Sequence, residues 1–185
     1  IMNNIKIIVA VDQNNGIGYK GNILFHIKED FKNFVKKTKG KYKKRTDKIE
    51  NSLIIGKNTF LSFPKRKSGS RALLHRHNCV VGNILTEEIK KEMSDGNILF
   101  VNSLKKALRK TRDRKEIWIG GGSRIYKESL EIADEIYLTR IFAEKKSDTF
   151  FPEIDTKIFK RVWASSIKTC TENKVKFRFE VYKRR

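Results

Sequence analysis

Short apolar runs alternate along this chain with amphipathic stretches, and that alternation restricts it to a fold of the α/β class. The strand candidates are 5–11, 52–56, 78–82, 97–101, 116–119, 135–142, 161–168 and 175–182. The helix candidates are 28–37, 57–62, 86–93, 103–110 and 123–131. Strands separated by helices pair in parallel, because the chain crosses back over the sheet before the next strand begins. The last strand differs. Val175, Phe177, Phe179 and Val181 alternate with Lys176, Arg178, Glu180 and Tyr182. A period of two leaves one face to solvent and predicts an antiparallel strand at or near the edge. In the first helix, Phe31, Phe34 and Val35 share a face by their i, i+3, i+4 spacing. Thr86 and Ser103 read as N-caps of their helices.

A chain of 185 residues with 38% hydrophobic content is expected to be one domain spanning 1–185. Two polar, basic stretches near 39–51 and 64–75 read as surface insertions, since lengthening a surface loop costs little. No apolar run approaches the roughly 20 residues that span a bilayer. The polar start of the chain does not read as a signal peptide. Cys79 and Cys170 make neither a disulfide framework nor a four-ligand metal site, so a reducing cytoplasm and no metal are expected. His75 and His77 share one face of an extended segment, but no acid or cysteine stands beside them.

The net charge of +21 invites a nucleic-acid reading. Residues 36–48 hold eight basic side chains and one acid, 105–115 seven and one, and 65–77 five and none. These are loops and helix faces rather than the aromatic-interleaved strands of single-strand binders. A lysine-biased proteome together with an anionic small ligand accounts for the charge with fewer assumptions, and specific nucleic-acid binding is not expected.

Four features could carry chemistry. Gly120-Gly121-Gly122 follows a buried strand and opens a helix. Such a turn lets backbone N–H groups approach a phosphate, although an ordinary strand-to-helix turn needs one glycine. Gly16, Gly18 and Gly21 punctuate the connection after the first strand, either as a lid or as a plain turn-rich loop. Asp30 stands among Ile27, Phe31 and Phe34; solvated it only starts a helix, but facing a cleft it becomes a proton donor near neutral pH. Arg76 suits bidentate carboxylate binding, against the alternative of one more surface cation.

In order along the chain these residues resemble the dihydrofolate reductases of the bacterial type. Ile8-Val9-Ala10-Val11-Asp12 with Gly16-Ile17-Gly18 is similar to the family's first strand and lid loop. Leu24 to Phe34 resembles LPW-x-L-x-x-D-L-x-x-F, and Ile55 to Pro64 resembles MGRKTWESIP. Leu73 to Asn78 resembles LPGRxN, Ile119 to Tyr126 resembles IxGGxxIY, and Ala143 to Pro152 resembles the GDTxFP loop. The resemblance implies an eight-stranded, mostly parallel sheet with an antiparallel C-terminal edge strand and about four helices. It implies NADPH-dependent reduction of 7,8-dihydrofolate to tetrahydrofolate by a cytoplasmic monomer. Asp30 would be the catalytic acid. Ile8, Phe31, Phe34, Val35, Phe63, Arg76, Gly120 and Thr139 would hold substrate with it. Ala10, Gly16, Ile17, Gly18, Asn22, Lys57, Asn58, Thr59, Gly82, Asn83, Gly121, Gly122, Ser123, Arg124 and Ile125 would cradle the cofactor.

The sequence departs from the family pattern at several positions. Leu24-Phe25 replaces Pro-Trp, Lys57 replaces an arginine, and Gly82-Asn83 stand where hydroxyl residues contact the 2′-phosphate. Gly120 replaces a bulkier apolar residue and is expected to enlarge the pocket. The alternatives are a related pyrimidine reductase of riboflavin synthesis on the same scaffold, or nonspecific nucleic-acid binding by the basic surface.

Overall fold

The structure is a computed structural model that describes residues 4–41, 48–94 and 97–185. The middle of the first basic insertion, 42–47, lies outside the described residues. Eleven strands are described: β1 (Asn4–Val11), β2 (Gly16–Gly18), β3 (Asn51–Gly56), β4 (His77–Val81), β5 (Ile98–Val101), β6 (Glu116–Ile119), β7 (Glu135–Ile141), β8 (Thr149–Phe150), β9 (Phe159–Ala164), β10 (Lys168–Thr169) and β11 (Lys176–Arg184). The helices are α1 (Lys28–Lys39), α2 (Lys57–Leu61), α3 (Glu87–Met93), α4 (Leu104–Lys110) and α5 (Ser123–Ser129). All five helix windows are helical, one more than the resemblance implied. Thr86 and Ser103 cap α3 and α4 by accepting from the backbone N–H of Ile89 and Lys106.

Nine strands form the central sheet in the order β10-β11-β7-β1-β6-β3-β4-β5, with β9 also paired to β11. The run from β7 to β5 is parallel throughout. Strand β1 alternates between two cores. Ile7, Val9 and Val11 face Leu104 and Ala107 of α4 and Ile125 of α5. Ile8 faces the opposite layer with Phe60 of α2 and Ile89 of α3. Helices on both faces are what a buried parallel sheet requires.

The C-terminal strand is antiparallel, as its alternation predicts, but it is not the edge. β11 pairs with β7 on one side and with β9 and β10 on the other. The period of two reports which faces of a strand are buried; it is silent about hydrogen-bonding neighbours. Its polar face is also less solvated than expected. Glu180 is only 3% exposed, because Arg161, Arg178 and the Tyr182 hydroxyl close over its carboxylate. The window at 161–168 covers the end of β9 and the start of β10, with 165–167 between them in no strand.

The second insertion is anchored rather than loose. Arg71 pairs with Glu88 and Glu92 of α3, and Ser70 and Ala72 are buried.

Candidate active site

One end of the parallel sheet opens into a cavity of about 920 Å³. The loops after β1, β3, β4 and β6 converge there, as the crossover topology dictates for the C-terminal ends of parallel strands. Every residue expected on the cofactor side lines it: Ala10, Gly16, Ile17, Gly18, Asn22, Lys57, Asn58, Thr59, Gly82, Asn83, Gly121, Gly122, Ser123, Arg124 and Ile125. Asp30 and Gly120 line it too.

The glycines form a cradle that side chains would fill. The Gly56 N–H donates to the Gly121 carbonyl at 2.7 Å, and the Gly121–Gly122 peptide is cis. A Cβ on Gly56 would lie 3.4 Å from the Gly122 nitrogen, and one on Gly122 would lie 3.2 Å from Thr59 Oγ1. Gly82 lets α2 approach, since a Cβ there would come within 3.0 Å of Lys57 Cβ. Gly120 differs from expectation. Its Cβ would meet Leu53 and Ile55 at 3.1 Å and Phe34 at 3.5 Å. Neighbouring side chains already occupy the volume that a larger residue would take, so the glycine does not enlarge the pocket.

Asp30 sits in the first turn of α1, where acids are favoured by the helix dipole. The Thr139 hydroxyl of β7 donates to its Oδ1 at 2.5 Å. Burial raises the Asp30 carboxyl above the usual value, and the Thr139 hydrogen bond offsets only part of that rise. Tyr126 closes the glycine-turn motif, and the motif alone gives it no role. It lines the cavity, its ring packs on Gly121, and its hydroxyl donates to the Ile8 carbonyl at 2.8 Å. Burial, aided by the Asp30 charge, raises its pKa, so it stays a neutral donor.

The remaining expected substrate residues, Ile8, Phe31, Phe34, Val35, Phe63, Arg76 and Thr139, are not among those that line it. Phe31 stacks on Phe34, and Phe34 meets Phe63 edge-on, each pair 6.4 Å between ring centroids. Val35 is half-buried one turn before Lys39. Arg76 is 2% exposed. Its Nη1 donates to Thr38 Oγ1 at 2.6 Å and its Nε to the Leu74 carbonyl at 3.0 Å. Among the described residues no carboxylate forms an ion pair with it. Burial lowers its pKa to about 10. A buried guanidinium held only by neutral acceptors retains donor capacity for an incoming anion.

The segment expected as a lid is strapped down. β2 pairs with β8, and Lys20 N donates to Asp148 Oδ2 at 2.8 Å. Buried Asp12 accepts from the backbone of Asn14, Gly16 and Lys145. Arg140 reaches the Asp12 carbonyl and Asn15 Oδ1. Lys145 caps the Leu24 carbonyl at 2.8 Å and lies 4.5 Å from the centre of the Phe25 ring. The motifs that contain Asp12 and Asp148 imply no role for either side chain.

A family model described as dihydrofolate reductase matches residues 4–184. A viral dihydrofolate reductase of Saimiriine herpesvirus 2 (strain 488) is 35% identical over 189 residues, covering 96% of this chain and 83% of that protein. The dihydrofolate reductase of Sus scrofa is 34% identical over 192 residues, covering 96% of each. That of Buchnera aphidicola subsp. Baizongia pistaciae (strain Bp) is 35% identical over 164 residues, covering 89% of this chain and 87% of its own.

Proposed function

The chain belongs to the dihydrofolate reductase family, and on that premise we propose that it reduces 7,8-dihydrofolate to 5,6,7,8-tetrahydrofolate with NADPH. The observation that carries this reading is Asp30, a carboxyl with a raised pKa that shares one cavity with the glycine cradle. NADPH, when bound, supplies the hydride that reaches C6 of the pterin.

The chain's own residues divide the remaining work. Gly121 to Ile125 and Lys57 to Thr59 offer backbone N–H groups and two cations, Lys57 and Arg124, to a dinucleotide with several phosphates. Lys57 brings charge without the planar fork of an arginine. Asp30 orients the pterin by hydrogen bonding and assists protonation of N5, and Thr139 fixes the carboxyl's direction. Tyr126 holds the Ile8 carbonyl in place beside the same cavity. Phe31, Phe34, Val35 and Phe63 present an apolar wall to the substrate's rings, and Arg76 takes the α-carboxylate of its glutamate tail. Holding hydride donor and acceptor in one geometry is the larger part of the catalysis expected from such a site.

Mixing the protein with dihydrofolate and NADPH should bleach the reduced nicotinamide absorbance, with NADH slower. Asp30→Asn should lower kcat by about 10²–10⁴-fold at neutral pH, the range for loss of a general acid. Wild-type kcat should fall as pH rises through the raised Asp30 pKa, and the variant should lack that limb. Unchanged turnover in Asp30→Asn would overturn the role given to this residue. The family scaffold also fits a single-domain monomer, which sedimentation would test.

A further inference from the structure

The chain reaches Asp30 through a stretch with little of its own to hold it. Residues 23–27, between Asn22 and the start of α1, belong to no helix or strand. Among the described residues, Ile23 to His26 make no backbone–backbone hydrogen bond. Side chains from distant parts of the fold take two of its carbonyls instead. Asn173 donates to that of His26 at 3.1 Å, and Lys145 Nζ donates to that of Leu24 at 2.8 Å. The two fastenings differ in what they hold. His26 is exposed and is not among the residues that line the cavity, whereas Leu24 and Phe25 line it together with Asp30.

Lys145 is gripped at its backbone and at its tip. Its backbone N–H donates to Asp12 Oδ2 at 3.3 Å, and the same carboxylate fastens Asn14 and Gly16 directly after β1. Its ammonium group lies at the far end of that excursion, on the Leu24 carbonyl and 4.5 Å from the centre of the Phe25 ring. The Phe25 ring itself packs on the cluster of Ile27, Ile141, Cys170 and Phe177. Among the described residues the ammonium forms no ion pair, so its charge faces a carbonyl oxygen and the negative face of a ring. Resting on the reductase reading above, we propose that Lys145 is a positioning residue of this site, which fixes Leu24 and Phe25 as the cavity wall against which the pterin is reduced. The lysine touches neither substrate nor cofactor. It acts through the carbonyl and the ring, and its own side chain is exposed, so replacing it leaves the core intact.

Single-turnover reduction of dihydrofolate by excess enzyme saturated with NADPH reads the hydride step apart from product release. Lys145→Met keeps an unbranched stem and removes the charge. It should slow that step about three- to tenfold at neutral pH, the worth of one charge-assisted hydrogen bond and one exposed cation–π contact. Lys145→Arg should recover most of the rate. Lys146→Met controls for net charge, because Lys146 Nζ lies 5.3 Å from the centre of the Tyr19 ring instead, and it should stay within about twofold of wild type. The pH profile separates positioning from charge. Asp30 already answers to its burial, to the Thr139 hydroxyl and to Tyr126, whose proton the Asp30 charge helps to hold. If Lys145 holds the wall, its loss lets water nearer the carboxyl, and the limb in which the rate falls with rising pH moves to lower pH. If its charge acted on Asp30 directly, removing a cation would move that limb to higher pH. A Lys145→Met rate within about twofold of wild type, an equal loss in Lys146→Met, a loss that Lys145→Arg does not recover, or a limb that fails to move to lower pH would each overturn the inference. No turnover by the wild type would overturn the reductase reading, and this inference with it.

Discussion

At Asp30 the burial that raises the pKa also works against the fold. The native state keeps the proton across a pH window in which the unfolded chain has already released it. Stability is therefore greatest below the ordinary carboxyl value, falls as pH rises through the window, and stays reduced above the raised value. In Asp30→Asn the side-chain amide has no charge to desolvate, and its carbonyl can still accept from Thr139. The variant should thus melt a few degrees higher than wild type at neutral pH, with the gap closing in acid, as thermal unfolding across pH would show. A wild type that melts higher at neutral pH would mean that hydrogen bonding to the ionised carboxylate outweighs its burial. Arg76 poses the complementary case, a buried cation without a carboxylate partner among the described residues. Arg76→Leu should raise KM for dihydrofolate by about 10²-fold with little change in kcat, because the tail carboxylate is bound equally in ground and transition states. An unchanged KM would show that the guanidinium serves only to tie Thr38 to Leu74.

The strap between β2 and β8 depends on the closeness of two backbones. A Cβ on Gly16 would overlap the Ser147 hydroxyl and lie 3.0 Å from Ser147 Cβ and 3.1 Å from Asp12 Oδ1. Gly16→Ala should push the pair apart, weaken NADPH binding by about three- to tenfold and cost a few degrees of melting temperature. Adding Ser147→Gly should restore most of both, since it removes the obstructing atoms; equilibrium binding of NADPH to the single and double variants checks this. Such local demands explain what the sequence makes legible. The helices show through their apolar periodicity, and the cofactor side shows through glycine runs that close backbone approach requires. The break between β9 and β10 does not show, because the Ser165 hydroxyl takes the Phe179 N–H of β11, a partner 14 positions away. The bond between Tyr126 and Ile8 spans 118 positions, and that between Arg140 and the Asp12 carbonyl spans 128. No local pattern encodes contacts at that separation. Gly120 misled for the same reason, since its space is filled from β3 and α1.

Over the whole molecule, 42 basic residues face 21 acidic ones. Among the described residues, sheltered ion pairs hold particular places in the fold. Lys6 bridges Glu116 at 2.7 Å and Glu135 at 3.5 Å at the start of the parallel strands, and Arg71 ties the 64–75 segment to α3. Pairs this sheltered are screened weakly by added salt, whereas the excess lysines repel one another through water and are screened strongly. The two effects predict opposite salt responses, and the imbalance of charge decides between them. Melting temperature should rise by several degrees between about 0.01 M and 0.15 M sodium chloride, because the Debye length shortens from about 30 to 8 Å. An equal rise with a bulky, weakly binding anion at matched ionic strength would identify screening of this self-repulsion as the cause. A rise confined to phosphate would instead report anions settling into sites such as the glycine cradle, and a fall would mean that the ion pairs at Lys6 and Arg71 govern stability.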